Sequence, residues 1–173
     1  MAGVSATGDR LDPRAVAVIG VMGLAAFMSV LDGTIVTVAV DTFTDTFDAS
    51  VATIGWVSVG YLLAAAVSLP VSGWAIERFG GRRVFLAGLG LFVLGSVLAS
   101  TAWSAESLIV FRVIQGLGGG SLEPTALTLA ARVAEGRRVG AVMGFISLVI
   151  NIAPVVGPII GGLFLEGGDW RWI

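Results

Sequence analysis

Five apolar stretches, at about 15–40, 51–76, 84–101, 107–133 and 140–165, take up most of this 173-residue chain, and short charged segments separate them. Within them the only charges are Asp32, Arg112 and Glu123, apart from Arg132 at the end of the fourth. A helix needs about 20 predominantly apolar residues to cross the hydrocarbon core of a bilayer. At 56% hydrophobic and 13% charged residues, against roughly 25% charged in an average soluble domain, the chain has more apolar surface than a soluble fold of this size can bury. Disordered chains are charged and poor in aliphatic residues, which excludes that class too. The expected fold is an all-α membrane protein with five transmembrane helices. The start of a sixth follows at Trp170-Arg-Trp-Ile173, and a polar tail at 1–14 precedes the first. That first stretch is too long for a cleaved signal peptide, and Asp32 interrupts it.

Charge placement sets an orientation. Eight of the ten arginines lie in the tail, in the loop around Arg78, Arg82 and Arg83, or in the loop around Arg132, Arg137 and Arg138. The opposite loops carry Asp41, Asp45, Asp48, Glu106, Glu166 and Asp169. The positive-inside rule then puts the N-terminus in the cytoplasm. Trp56, Trp74, Trp103, Trp170 and Trp172 fall at the expected span ends, where indole prefers to sit. The tetrapeptide Gly-Arg-Arg-Val occurs at 81–84 and 136–139; both copies lie in arginine-bearing loops and read as topogenic signals.

The chain contains neither cysteine nor histidine. Disulfides, thiolate metal sites and the side chain that titrates nearest neutral pH are therefore absent, and any proton chemistry falls to carboxylates. No nucleophile, base and orienting group converge, so an enzyme is not expected. Nothing in the sequence suggests a nucleic-acid partner.

A charge at membrane depth costs roughly 2.5–3.5 kcal/mol on insertion scales, so each one needs a reason. Asp32 lies ~13 Å below the outer end of the first helix and Arg112 ~8 Å below the outer end of the fourth. Opposite charges in the same half of the membrane suit an ion pair or a shared water-filled cavity; the alternative is that Arg112 snorkels to the headgroups. Glu123 precedes Pro124, where the missing backbone donor loosens the helix. Its carboxyl would serve as a protonatable or cation-attracting site, or sit neutral and hydrogen-bonded to a neighbour. In the fifth stretch Ala153, Gly157 and Gly161 recur every fourth residue, forming a smooth face for another helix, with Pro154 and Pro158 bending the segment. Gly116, Gly118, Gly119 and Gly120 read as packing glycines rather than a phosphate loop. The segment Gly73 to Arg83 joins spans two and three so tightly that they should be antiparallel neighbours. Gly80 or Gly81 supplies the turn there, and Glu77 pairs with an arginine or caps the next helix.

Four motifs in order resemble those of the major facilitator superfamily, most closely its fourteen-helix drug:proton antiporter branch. Leu31-Asp32-Gly33-Thr34-Ile35-Val36-Thr37-Val38-Ala39 is similar to the first-helix motif, departing at Thr37 and Asp41. Gly73, Glu77, Arg78, Gly80, Arg82 and Arg83 match the loop motif, a conformational latch in the family. Glu77 stands there for the usual Asp, and Gly81 for the first of a basic pair. Leu108-Ile-Val-Phe-Arg112-Val-Ile-Gln115-Gly116-Leu-Gly118 resembles the fourth-helix motif, whose arginine the family associates with proton transfer. Pro154, Gly157, Pro158, Gly161 and Gly162 resemble the antiporter motif of exporters. Glu123 falls outside these patterns.

The resemblance implies a bacterial inner-membrane exporter of small apolar or cationic compounds, such as drugs and antibiotics. It would work by alternating access, exchange substrate for protons through Asp32 near Arg112, and use the proton gradient rather than a cofactor. A half of that fold needs six helices and a substrate path needs two halves. Residues 15–173 are therefore expected to be a truncated N-terminal half, inactive without the missing C-terminal part. The alternatives are uptake of a metabolite, against which the antiporter motif speaks, and a non-transporting remnant or membrane interaction subunit.

Overall fold

The computed structural model describes residues 12–134, 139–167 and 170–172. Arg10, Arg137, Arg138 and Asp169, used above to set orientation, lie outside these residues, as does most of the second Gly-Arg-Arg-Val. The described chain is helical throughout: α1 (Pro13–Ile35), α2 (Val40–Phe47), α3 (Val51–Phe79), α4 (Gly81–Ser100), α5 (Ala105–Ala134) and α6 (Val139–Glu166), with short 3-10 turns at Val36–Val38 and Trp170–Trp172.

Local chemistry fixes the helix ends. The Asp12 carboxylate accepts from the Arg14 amide and Pro13 opens α1, where its missing N–H costs nothing. Ser50 caps α3 by accepting from the Thr53 amide at 3.1 Å. Ser104 and Ser107 cap α5 reciprocally: each backbone amide donates to the other's hydroxyl, at 3.0 and 3.2 Å. Gly80, at φ +85°, is the whole connection between α3 and α4, a backbone conformation that a side chain would strain.

Two boundaries differ from the sequence reading. Helix α1 ends at Ile35 and the candidate span reaches Val38, where the sequence reading ran to Val40, and the stretch read as a polar loop at 41–50 holds α2. The end of α1 tightens because the Thr34 hydroxyl donates to the Leu31 carbonyl at 2.9 Å and the Thr37 hydroxyl to the Thr34 carbonyl at 2.6 Å, drawing the backbone into a 3-10 turn. In α2, Val40, Phe43 and Phe47 repeat at helical spacing; Phe43 is buried, and Asp48 ends the helix in the left-handed region at φ 47°.

The centre of the bundle is α5. It packs most extensively on α3 and α4, then on α1, while α6 lies mainly along α1. Although joined through Gly80, α3 and α4 touch each other far less than either touches α5. Four segments, Pro13–Val38, Val51–Phe79, Gly81–Ser100 and Val139–Glu166, are long and apolar enough to cross a membrane. By contrast α5, 30 residues long, is too polar to qualify, with Glu106, Arg112, Glu123 and Arg132 along it. Its position explains the composition: helices rather than lipid surround most of it. Both α5 and α6 run unbroken through their prolines, at Pro124 and at Pro154 and Pro158.

Glycines set how closely these helices approach. A Cβ on Gly116 would strike the Tyr61 carbonyl, one on Gly120 the Ala65 carbonyl, and one on Gly118 the Phe92 amide. From the α4 side, a Cβ on Gly95 would lie 2.5 Å from the Gln115 Cα. Backbone thus meets backbone along both flanks of α5. The α6 face of Ala153, Gly157 and Gly161 is buried as expected, with Gly157 against Leu31 and Thr34 and Gly161 against Ile35 and Val38 of the first segment.

Candidate ion-pair site between α1 and α5

Close packing of α5 brings Arg112 to α1 just where Asp32 projects, one turn before that helix ends. Arg112 is 3% exposed and Asp32 8%. The Arg112 Nη1 donates to Asp32 Oδ2 at 2.6 Å and to Gln115 Oε1 at 2.7 Å, and Nη2 reaches the Asp32 carbonyl at 3.3 Å. Gln115, one turn along α5, donates from Nε2 to Asp32 Oδ1 at 2.9 Å. Both carboxylate oxygens therefore have partners, and a closed triangle of three side chains spans the two helices. Among the described residues Arg112 Nε has no hydrogen-bond partner.

A second tie lies beside the first. The Arg112 guanidinium sits 4.4 Å from the centre of the Tyr61 ring, a cation–π contact from α3. The Tyr61 hydroxyl donates to the Ser29 carbonyl at 2.8 Å, and the Ser29 hydroxyl donates to the Gly119 carbonyl at 3.0 Å. Gly33 leaves room for the ring: a Cβ there would come within 3.2 Å of Tyr61 Cε1. Arg112 thus has a carboxylate, an amide oxygen and an aromatic face around one cation.

A cavity of about 240 Å³ adjoins Asp32, Arg112 and Gln115, with Ser96 and Ser100 of α4 on one wall. Phe43 of α2 and Trp170 also line it, meeting edge to face at 5.4 Å. Trp170 is buried rather than placed at a lipid interface, contrary to the reading of all five tryptophans as interfacial; Phe43 and Phe47 enclose it. Trp56, Trp74 and Trp103 are exposed.

The other sequence candidates stay apart from this cluster. Glu123, three turns further along α5, is half-buried and forms no ion pair or hydrogen bond among the described residues. In the loop segment, Glu77, Arg78, Arg82 and Arg83 are exposed, and Glu77 neither pairs with those arginines nor caps α4. Gly80 makes the turn, while Gly81 is buried with the Leu129 side chain packed on it, so a side chain at 81 would require Leu129 to shift. Gly73 and Gly162 face open space, Pro154 is exposed and Pro158 half-buried. Of the antiporter-motif residues only Gly157 and Gly161 are pressed against α1.

Residues 6–173 match the sequence pattern of the Major Facilitator Superfamily. The chain belongs to the major facilitator superfamily. It is 42% identical over 165 residues, 95% of its length, to the Multidrug resistance protein B homolog of Mycobacterium tuberculosis. Identity is 40% over 88% of the chain to the Multidrug export protein EmrB of Haemophilus influenzae. It is 35% over 88% to the Putative multidrug resistance protein MdtD of Pectobacterium atrosepticum. The chain covers 31%, 30% and 33% of these superfamily relatives, so it spans about a third of their length.

Sequence reasoning reached Asp32 and Arg112 in this superfamily chain by sign and depth, and it quoted Gln115 without giving it a task. It missed Tyr61 and Ser29. The available signal was that Tyr61 is the sole tyrosine, placed within an otherwise apolar span, where a phenol hydroxyl needs a partner.

Proposed function

We propose that this chain is the N-terminal part of a proton-coupled exporter in a bacterial inner membrane, one that moves small apolar or cationic compounds, drugs among them, by alternating access. The printed names of the relatives support export of multiple drugs. The buried triangle of Asp32, Arg112 and Gln115 carries the coupling step. While Asp32 is ionised it holds Arg112 and binds α1 to α5. A proton arriving on Asp32 removes the counter-charge and one acceptor, and Arg112 keeps only Gln115 Oε1, the Asp32 carbonyl and the Tyr61 ring. The α1–α5 seam then loosens, and the remaining part of the transporter can rock against it.

In this reading α1, α3, α4, α5 and α6 all cross the membrane, with the N-terminus and the Gly80 turn in the cytoplasm, and Glu123 is a second protonatable or cation-attracting position. The test is Asp32→Asn in the intact transporter. It should abolish proton-dependent export while leaving the protein in the membrane; unchanged coupled export removes Asp32 from this role.

A further inference from the structure

Along the side of the bundle where α3 and α4 diverge over α5 runs a groove of about 450 Å³, from Ser68 and Leu117 at one end to Phe79 and Arg83 at the other. Its walls are apolar, with Val71, Val84 and Leu91 among them. Three serines line it, and each hydroxyl is already satisfied by a helix carbonyl: Ser68 by Leu117, Ser72 by Leu69 and Ser121 by Gly118, all at 2.7 Å. The groove therefore offers hydrocarbon to whatever fills it and asks for no hydrogen bonds in return. Ser68 and Phe79 are eleven residues apart on α3, roughly 16 Å along the axis. That matches one leaflet of a hydrocarbon core roughly 30 Å thick.

At the Gly80 end stands a cation with no partner among the described residues. The Arg83 side chain is exposed and lines the groove, and among the described residues it has neither an ion pair nor a hydrogen bond. Phe79 shares that end and meets Trp74 edge to face at 5.7 Å, both rings exposed, as aromatic residues at headgroup level commonly are. Arg82, the next residue, lines a different groove with Val18, Val21 and Met22 of α1. The two arginines of one turn thus serve different faces.

We propose that the α3–α4 groove is a binding site for one anionic phospholipid, an acyl chain lying along Ser68 to Phe79 and the headgroup phosphate held by Arg83. Basic positions beside intramembrane clefts are suited to such headgroups, and the unpaired charge selects an anionic lipid over a zwitterionic one. The proposal requires only that α3 and α4 lie in a bilayer, and stands apart from proton coupling.

The test is native mass spectrometry of the delipidated chain in detergent, titrated separately with phosphatidylglycerol, phosphatidylcholine and glycerol phosphate. One phosphatidylglycerol should bind about fivefold more tightly than phosphatidylcholine, and glycerol phosphate should not bind measurably. Arg83→Gln should erase the preference, and Ala87→Phe, which fills the groove from an exposed position, should weaken both lipids. Arg82→Gln, removing the same charge one residue away, should change nothing; helicity by circular dichroism checks that every variant folds. Equal binding of the two lipids overturns the proposal, as does an equal loss in Arg82→Gln and Arg83→Gln, which would mean diffuse charge attraction. Binding of glycerol phosphate as tight as the lipid overturns the acyl-chain assignment. A chain dimer that excludes lipid and disappears in Ala87→Phe would give the groove to a second copy of this chain instead.

Discussion

Two seams meet on α5, and they are built in opposite ways. Toward α3 and α4 the approach is set by backbone on backbone at Gly95, Gly116, Gly118 and Gly120, with polar side chains added where Ser68 reaches the Leu117 carbonyl and Tyr61 meets Arg112. Toward α1 the contact runs through side chains: Asp32, Arg112 and Gln115 in one set of hydrogen bonds, and Ser29 on the Gly119 carbonyl beside them, with Tyr61 of α3 reaching in to Ser29. Where backbone meets backbone at a glycine, there is no side chain to change rotamer or protonation state. The polar contact toward α1 has a group that would do so in the proposed coupling, because a proton on Asp32 would change which groups attract. In the proposed coupling, the glycine contacts would stay fixed while the Asp32–Arg112 contact adjusts.

The sharpest way to break this contrast is to strip one charge from the adjustable seam. Arg112→Gln leaves the Asp32 carboxylate buried without its cation and should cost about 3–5 kcal/mol in unfolding measured in detergent micelles. Adding Asp32→Asn to it should recover much of that loss; a double variant as weak as the single one would mean the pair contributes by packing alone. Next come the fixed seams. Gly118→Ala would drive a methyl into the Phe92 amide and the Gly88 carbonyl, and α4 would have to move away, at about 1–3 kcal/mol in the same assay. Smaller again, Tyr61→Phe keeps the ring beneath Arg112 but deletes the hydroxyl that reaches Ser29. The expected cost is about 1 kcal/mol, with Tyr61→Leu, which also removes the ring, worse than Tyr61→Phe. The smallest effect has the opposite sign. Gly90→Ala adds a methyl where nothing lies within 4 Å and should stabilise α4 by about 0.5–1 kcal/mol. If Gly118→Ala and Gly90→Ala behaved alike, the glycine seam would not be tight.

The helices themselves were legible in the sequence because hydropathy is a property of length, and lipid imposes length directly. The meeting of Asp32 and Arg112 was legible for a related reason: two opposite charges at similar depth have few other partners. What escaped was whatever depended on how helices turn toward one another. Trp170 looked interfacial by position, yet Phe43 and Phe47 enclose it, because α2 was hidden among Asp41, Asp45 and Asp48. Tyr61 was invisible because its task lies across two neighbouring helices. Arg82 and Arg83 adjoin in the sequence, but successive residues on a helix point about 100° apart, and the two reach separate grooves. The Leu129 side chain packed on Gly81 was likewise out of sight in the sequence.

The one-residue link at Gly80 bears on how the bundle is made. Helices α3 and α4 leave the ribosome in succession, tethered tip to tip, but their facing surfaces are shaped for a third body: Gly60 for Val113, Gly88 for Ser121, Gly95 for Gln115. Until α5 is synthesised, the pair is an open clamp with its notches empty. Chain order thus delivers the two faces before the helix that fills them. The clamp is laid down first, the last helix to arrive among the three locks it, and a ribosome stalled before residue 105 leaves a hairpin that has nothing to close on.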